Sequence, residues 1–338
     1  AVPGQSEEVP TPVLTDRPPG RSLDTCPEMA EIDVAADTAG STAADAGDDT
    51  SPAALRALEA YLTAAGGVIS EQVALTAPEP ASAATRGVFA TSSIQEGALL
   101  LAVPGRLLMT AGVARKHGYD GTDLPEADLI CLALIGELRC AAASQWKPWL
   151  PTLPRSFDVP LLWEEADVRS LACPSLVVRL LRERAEARTR HAAAVRAVPC
   201  GQEPPTLAEY LWARAALESR GVFLDAEERH GASQWAIVPV GDMFNHAAQA
   251  SVLAEYDEQT DAWRYTATRA VRAGEELHVT YGAHDDSVLL ASYGFVPWAN
   301  PHGRAAVCEA SLGLTEEDAT WLRDEGLLEW FRRALGLM

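Results

Sequence analysis

The run Trp235-Ala-Ile-Val-Pro-Val240 is apolar, and it ends in Gly-Asp-Met-Phe-Asn-His246. Three hydrogen-bonding side chains, Asp242, Asn245 and His246, therefore close a segment that otherwise belongs in a core. Each has an ordinary reading: Asp242 can cap a helix, and Asn-His after a strand is commonly a turn that bonds its own backbone. A second polar ending lies further on. Gly274-Glu-Glu276 turns into a strand at 277–280, Tyr281-Gly282 ends that strand, and Tyr293-Gly-Phe295 follows a helical turn through 288–291. A tyrosine at a strand end is ordinarily an amphipathic core edge. With a phenol pKa of about 10 it is a poor base at neutral pH but a competent hydrogen-bond donor. The histidines His230, His246, His278 and His284 show no metal-ligand spacing such as H-E-x-x-H, so no metal is expected.

Placing those groups requires a particular set of elements. Ser51-Pro52 is an N-cap followed by Pro at the first helical position, which starts a helix. Leu55, Leu58 and Leu62 mark its buried stripe, and Gly66-Gly67 stop it. Residues 68–75 read as a strand, followed by strands at 85–90 and 98–103 with a turn at Gln95-Glu-Gly97; Pro104-Gly105 breaks the pattern and 107–109 resumes it. The middle is helical: 125–142, then 174–198 with Arg and Glu outward, then a helix from the capping box Thr206-Leu-Ala-Glu209 to about Ser219. Residues 251–256 and 262–270 alternate around 257–261, a hairpin pattern, and 277–281 is a last short strand. A helical block thus interrupts a β domain, which predicts the α+β class.

Composition sets the bounds. Of 338 residues 48% are hydrophobic, ample for a sizeable core. No stretch of 18 apolar residues occurs, so no membrane span is expected. The formal net charge of -21 argues against binding a nucleic-acid backbone, which needs a basic footprint. It suits a basic partner such as a lysine-bearing protein, or serves solubility alone. Residues 1–50 hold 11 acidic and 2 basic residues among Pro, Ala and Thr, a composition that predicts a disordered acidic tail. The six cysteines are dispersed without a C-x-x-C, which predicts free thiols in a reducing, intracellular compartment and no structural zinc. A monomer is expected.

Four segments, in this order, carry a resemblance: RGVFATSSIQEGALLLAVPGRLLMT, WKPWLPTLPRSFDVPLLWEEADVRSL, VPVGDMFNHA, and GEELHVTYG with SYGF. The chain resembles the SET-domain methyltransferases. Within them it is similar to the branch with a long helical insert, typified by the Rubisco large-subunit lysine methyltransferase and the actin-histidine methyltransferase. The resemblance implies a β fold of short strands with a pseudoknot, spanning 51–304 and interrupted by a helical insert at about 112–230. Residues 305–338 would be the start of a helical substrate-docking domain, truncated here. It further implies S-adenosylmethionine as cofactor, a protein substrate, and direct SN2 methyl transfer. Asn245 and His246, with Asp242 just before them, would contact the cofactor, since their groups can satisfy the donor and acceptor edges of adenine. Ala98 and Leu100 would hold its amino-acid end through backbone groups, and Ser219 and Arg220 would line the cofactor and substrate sites. Tyr281 would be the catalytic tyrosine, also touching the cofactor, and Tyr293 a second tyrosine of the substrate channel. The family's usual Ser-Asn before Tyr-Gly-Phe is replaced by Asp285-Asp286, a departure at the substrate entrance.

Lysine or histidine as the target is read from one wall. Where the histidine branch has a polar Asn that can bond an imidazole, this chain has Val222, beside Phe223. An apolar wall suits an aliphatic lysine stem, whereas an imidazole nitrogen buried there without a partner costs about 1–3 kcal/mol. Tyr293 also matches the lysine type. The expectation is a protein-lysine N-methyltransferase acting on a non-histone protein. The alternatives are a protein-histidine methyltransferase and a catalytically weak binding module.

Overall fold

The computed structural model describes residues 50–76, 86–119, 122–224, 235–303 and Thr320. The expectations for the acidic N-terminal segment and, Thr320 apart, for the C-terminal segment lie outside these residues. The strands are β1 (Val68–Ile69), β2 (Val73–Thr76), β3 (Arg86–Ala90), β4 (Leu99–Pro104), β5 (Gly221–Phe223), β6 (Trp235–Ile237), β7 (Asn245–His246), β8 (Val252–Asp257), β9 (Ala262–Ala267) and β10 (Glu276–Val279). The helices are α1 (Pro52–Ala64), α2 (Ala111–Ala114), α3 (Glu126–Arg139), α4 (Glu165–Arg169), α5 (Pro174–Arg196), α6 (Leu207–Arg220) and α7 (Asp286–Val288). The α+β class expected from the sequence is the class observed.

Helix α1 starts as its sequence dictates, with the Ser51 side chain accepting from the Ala54 N–H and Pro52 at the first position. Its buried residues are Leu55, Leu58 and Leu62. Burying each contributes about 2 kcal/mol, which a 13-residue helix needs because isolated helices this short are marginal in water. Two strand expectations change. Residues 68–75 form not one strand but two, β1 and β2, in different sheets. The Ser70 hydroxyl accepts from Gln72 N–H, and Val73 N–H donates to the Ser70 carbonyl, so the chain turns between them. Residues 105–107 coil into a 3-10 turn, and within 107–109 Met109 makes an isolated bridge to Ile237.

One sheet runs β1-β4-β9-β8, and a second runs β2-β3-β10-β7. In the second sheet β10 pairs antiparallel with β3 and parallel with β7, placing His278 opposite Asn245 and Val279 opposite His246. That parallel pairing lays the two polar-ended segments side by side. The expected last strand ends at Val279, so Tyr281 lies just beyond it.

The helices α2 to α6 lie in the chain between β4 and β5. α3 is buried along Leu129–Ile135 and packs on α6. The Thr206–Glu209 capping box is formed reciprocally: Glu209 Oε2 accepts from Thr206 N–H at 2.8 Å, and Thr206 Oγ1 accepts from Glu209 N–H at 3.2 Å. Inside this block the buried Asp128 accepts from the Tyr210 hydroxyl at 2.6 Å and faces Arg190 and Arg214 at 3.6 and 3.7 Å. α6 is thereby pinned to α3, which directs its C-terminal end, Ser219-Arg220, at the β core.

Candidate active site

After β6 the chain turns sharply. Val240 adopts φ 71°, a left-handed conformation that a β-branched residue enters only under strain. Gly241 must be glycine, because a Cβ there would run into the Tyr265 hydroxyl. The Tyr265 ring stacks on Phe244 at 4.7 Å and 6°. The Asp242 N–H donates to the Val238 carbonyl at 2.9 Å, closing the turn. Strain of this kind is held only where the surroundings over-determine the backbone, and the side chain of Asp242 shows how.

The Asp242 carboxylate is fully enclosed. Its Oδ2 receives Arg220 Nη1 at 3.1 Å and faces Arg86 Nη2 at 3.8 Å, while Oδ1 accepts from the Trp149 indole N–H at 3.2 Å. Arg220 Nη1 also donates to the Asp242 carbonyl at 2.7 Å, and its guanidinium lies 5.9 Å over the Phe157 ring. Three distant parts of the chain, β3, the helical block and the end of α6, thus converge on one carboxylate.

Asn245 donates from Nδ2 to the Arg86 carbonyl at 2.9 Å and to Glu276 Oε1 at 2.7 Å. It therefore ties β7 across to the start of β3 and to β10. Gly87 sits against both partners: a Cβ there would lie 2.5 Å from Glu276 Oε1 and 3.1 Å from Asn245 Nδ2. His246 Nδ1 accepts from the Tyr281 backbone N–H at 3.1 Å, which requires an unprotonated Nδ1. Burial, then the neighbouring His284, His278 and His302, lower its pKa and favour that neutral form.

The Tyr281 hydroxyl donates to the Phe244 carbonyl at 2.8 Å. Its ring stacks on Tyr293 at 4.7 Å and 23° and lies 5.2 Å from His246, while Phe295 lies 6.1 Å from His246 and 6.3 Å from Tyr293. Burial pushes both phenols up to about 12, Arg220 pulling partly back at Tyr281. Both remain protonated donors at neutral pH. Gly294 follows at φ 78°, and a Cβ there would strike the Asp158 carbonyl, so the chain 154–159 closes against this motif. Asp285 caps α7 by accepting from Val288 N–H at 3.0 Å. Burial would raise its pKa, but bonds from Ser287 and Val288 hold it below the usual carboxylate range.

Asp242, Asn245, His246, Arg220, Tyr281 and Tyr293 are therefore one connected cluster. Arg220 turns its guanidinium to Asp242 rather than standing as a free cation. The Ser219 hydroxyl is spent on the Ala215 carbonyl at 2.7 Å. Val222, half-buried, pairs with Ala236 in the β5–β6 ribbon, where Phe223 meets Trp235 edge-on at 5.7 Å. Ala98 and Leu100 are not part of this side-chain cluster. They stand at β4, in the sheet that lacks Asn245 and His246. Ala98 N–H donates to Gln95, its carbonyl accepts from Ala267, and the Leu100 carbonyl accepts from Ser70. The strand beside the cluster is β3, which brings Arg86 and Gly87 to it. Trp149, Phe157, Phe244 and Glu276 are further members that sequence reading missed. Arg86-Gly87 open the first matched segment and carried the available signal.

Chemically the cluster offers protonated phenols, a neutral imidazole, and half-buried aromatic faces. Such faces attract a cation. Among the described residues no group of three His, Cys, Asp or Glu is arranged to hold a metal ion, and no helix there is long and apolar enough to cross a membrane.

Comparison with known proteins gives the context. Residues 85–282 match the family model described as SET domain. SET domain-containing protein 4 of Homo sapiens is 29% identical over 238 residues, which cover 64% of this chain and 53% of that protein. Actin-histidine N-methyltransferase of Homo sapiens is 28% identical over 248 residues, 69% of this chain and 41% of that protein. Among solved structures, the SET domain of LSMT bound to lysine and AdoHcy superposes with a TM-score of 0.61 at 21% identity, covering 73% of this chain and 58% of that one. Rubisco LSMT bound to AdoMet gives a TM-score of 0.57 at 22% identity, covering 72% and 57%. The chain spans about half the length of these relatives or less.

Proposed function

The chain belongs to the SET-domain family, and on that premise we propose that it is an S-adenosylmethionine-dependent protein N-methyltransferase with lysine as its target. The observation that carries this reading is the Tyr281 hydroxyl, a protonated donor fixed at 2.8 Å on the Phe244 carbonyl, beside His246 and stacked on Tyr293. One relative is named as a methyltransferase, and two structures of similar fold were solved with lysine and AdoHcy or with AdoMet.

The residues present fit that cofactor. Aromatic faces at Tyr281, Tyr293 and Phe295 suit a sulfonium cation, and Asn245 and His246 flank them with hydrogen-bonding groups. We assign cofactor contacts to Asn245, His246, Ser219 and Tyr281 and to the backbone of Ala98 and Leu100, with Arg86 and Gly87 close by. Asp242 acts from beneath, through Arg220. When bound, the cofactor supplies a methyl group that is already electrophilic, so direct displacement by a neutral amine suffices.

The protein must then align that amine and keep it neutral. Neutralising a lysine of pKa about 10.4 at pH 7 costs about 4–5 kcal/mol. We assign Tyr293 and Val222 to the substrate wall, where desolvation would disfavour the ammonium. The Tyr281 hydroxyl, its proton given to the Phe244 carbonyl, orients the amine by accepting from an amine N–H; with its pKa raised to about 12 it is not the base. Water takes the proton.

Histidine is the second reading, favoured by the relatives named actin-histidine N-methyltransferase. Matched peptides bearing Lys or His at one site, incubated with methyl-labelled cofactor, separate the two. Lysine labelling is expected, and faster labelling of the His peptide would overturn the target. No labelling of any protein in a lysate, with no cofactor affinity by calorimetry, would leave only a binding module.

A further inference from the structure

Trp149 lies in the second matched segment, where it was given no role, yet it is fully buried and hydrogen-bonds to the cluster. Its indole N–H donates to Asp242 Oδ1 at 3.2 Å. The other oxygen of that carboxylate is taken by Arg220 and Arg86. Two residues beyond Asp242, the Phe244 carbonyl receives the Tyr281 hydroxyl at 2.8 Å. The Asp242 backbone itself is held at both ends, N–H on Val238 and carbonyl on Arg220. The same Arg220 nitrogen holds both the carboxylate and the carbonyl of Asp242, so a shift of the carboxylate is passed through that guanidinium to the strained turn that carries the Phe244 carbonyl.

The indole is a stiff strut. The Trp149 backbone N–H donates to the Trp146 carbonyl at 2.8 Å, and its own carbonyl accepts from Thr152 N–H at 2.8 Å and Thr152 Oγ1 at 2.7 Å. Trp146 in turn anchors this turn to the β domain, its indole N–H donating to the Leu107 carbonyl at 2.7 Å. Both ends of the strut are fixed, and the donor has one direction in which to point.

We infer that the Trp149 N–H is a positioning group: through Asp242 and the Phe244 carbonyl it sets where the Tyr281 hydroxyl stands, and so tunes turnover of the methyl transfer proposed above, on which reading the kinetic part rests. A buried tryptophan that merely fills the core would act through its area alone. Two substitutions separate area from donor. Trp149→Phe keeps more of the apolar area and drops the donor. Trp149→His keeps a ring N–H at similar reach and buries less.

For a positioning role, Trp149→Phe loses about tenfold in kcat, the worth of one hydrogen bond to a charged acceptor, with cofactor KM within about twofold. Trp149→His keeps kcat within about threefold while melting lower than Trp149→Phe. If activity instead follows the melting order, with His below Phe, the indole is packing and the inference is overturned. Ring-labelled tyrosine NMR, with the Tyr281 signal assigned from Tyr281→Phe, reads the same position without turnover. That signal shifts in Trp149→Phe and returns towards wild type in Trp149→His; an unmoved signal in Trp149→Phe overturns the inference. Where Trp149→Phe does not fold, Trp149→His decides: wild-type-like turnover and an unmoved signal support it, and loss of both overturns it. A wild type that methylates nothing, with the NMR shifts as expected, refutes the activity and leaves the positioning supported.

Discussion

Arg220 bonds to Asp242 twice, from one nitrogen: Nη1 donates to its carbonyl at 2.7 Å and to its carboxylate at 3.1 Å. The bond joins the end of α6 to the turn before β7 and fixes both the backbone and the side chain of one residue. Resemblance suggested that Arg220 faces substrate. Its guanidinium is engaged with Asp242, and through that bond it holds the turn before β7 in place.

Asp242→Asn should be strongly destabilising. The substitution leaves Arg220 and Arg86 facing a neutral amide in an enclosed place, and breaking a buried pair in this way costs about 3–5 kcal/mol. That is a large part of an ordinary domain's stability of about 5–15 kcal/mol. A double-mutant cycle with Arg220→Ala should show coupling of about 1–3 kcal/mol. Denaturant melts of the four proteins check this, and additive effects would refute the linkage.

Asn245→Ala should weaken cofactor binding by one to two decades and also lower the melting temperature. The amide bonds to the Arg86 carbonyl and to Glu276. A hydrogen bond to a charged group is worth about 1.5–3 kcal/mol, and here its loss loosens β3 against β7. Calorimetry and thermal melts read the two effects. A weaker Kd with unchanged melting would mean that the side chain serves the cofactor alone.

The reach of sequence reading follows from these contacts. Asp242, Asn245, His246 and Tyr281 were legible because each ends an apolar run, where a polar group stands out. Helix α6 was legible from its capping box. Trp149 was not, since it looks like any core tryptophan and its partner lies 93 residues away. Ala98 and Leu100 came from resemblance alone, because a backbone contact leaves no mark on side-chain type. The split of 68–75 into β1 and β2 rests on one serine hydroxyl, a signal too small to outweigh the apolar pattern around it.

His246 makes stability fall on mild acidification. Burial and the neighbouring His284, His278 and His302 lower its folded pKa below the unfolded value of about 6.5. Between the two values the unfolded chain binds more protons, so stability rises with pH across that window. The contribution is present above about pH 6.5 and is lost as pH falls through the folded pKa. Protonation also removes the lone pair that accepts from Tyr281 N–H. His246→Gln keeps an acceptor without the titration. Melting temperatures from about pH 7.5 to about pH 5.5 should fall more for wild type than for the variant, and parallel curves would refute the assignment.

Tyr281→Phe tests the centre of the site. The change removes one hydroxyl and leaves the Phe244 carbonyl without that donor, at a cost of about 1 kcal/mol in stability. The stacked pair with Tyr293 keeps its ring geometry, since stacking does not involve the hydroxyl. Cofactor Kd should therefore stay within about threefold. Turnover should fall by about a hundredfold or more, the scale seen when one preorganised donor at a reacting centre is removed. The fall should not be rescued by raising pH: a phenol at about 12 is protonated throughout the working range and acts by orientation, not as a base. Single-turnover rates with saturating cofactor, from about pH 7 to about pH 9.5, measure this directly. Rates within about threefold of wild type would remove Tyr281 from the reaction. A deficit that closes steadily with rising pH would mean that the hydroxyl had been promoting deprotonation of the amine, and the role given to water would pass to Tyr281.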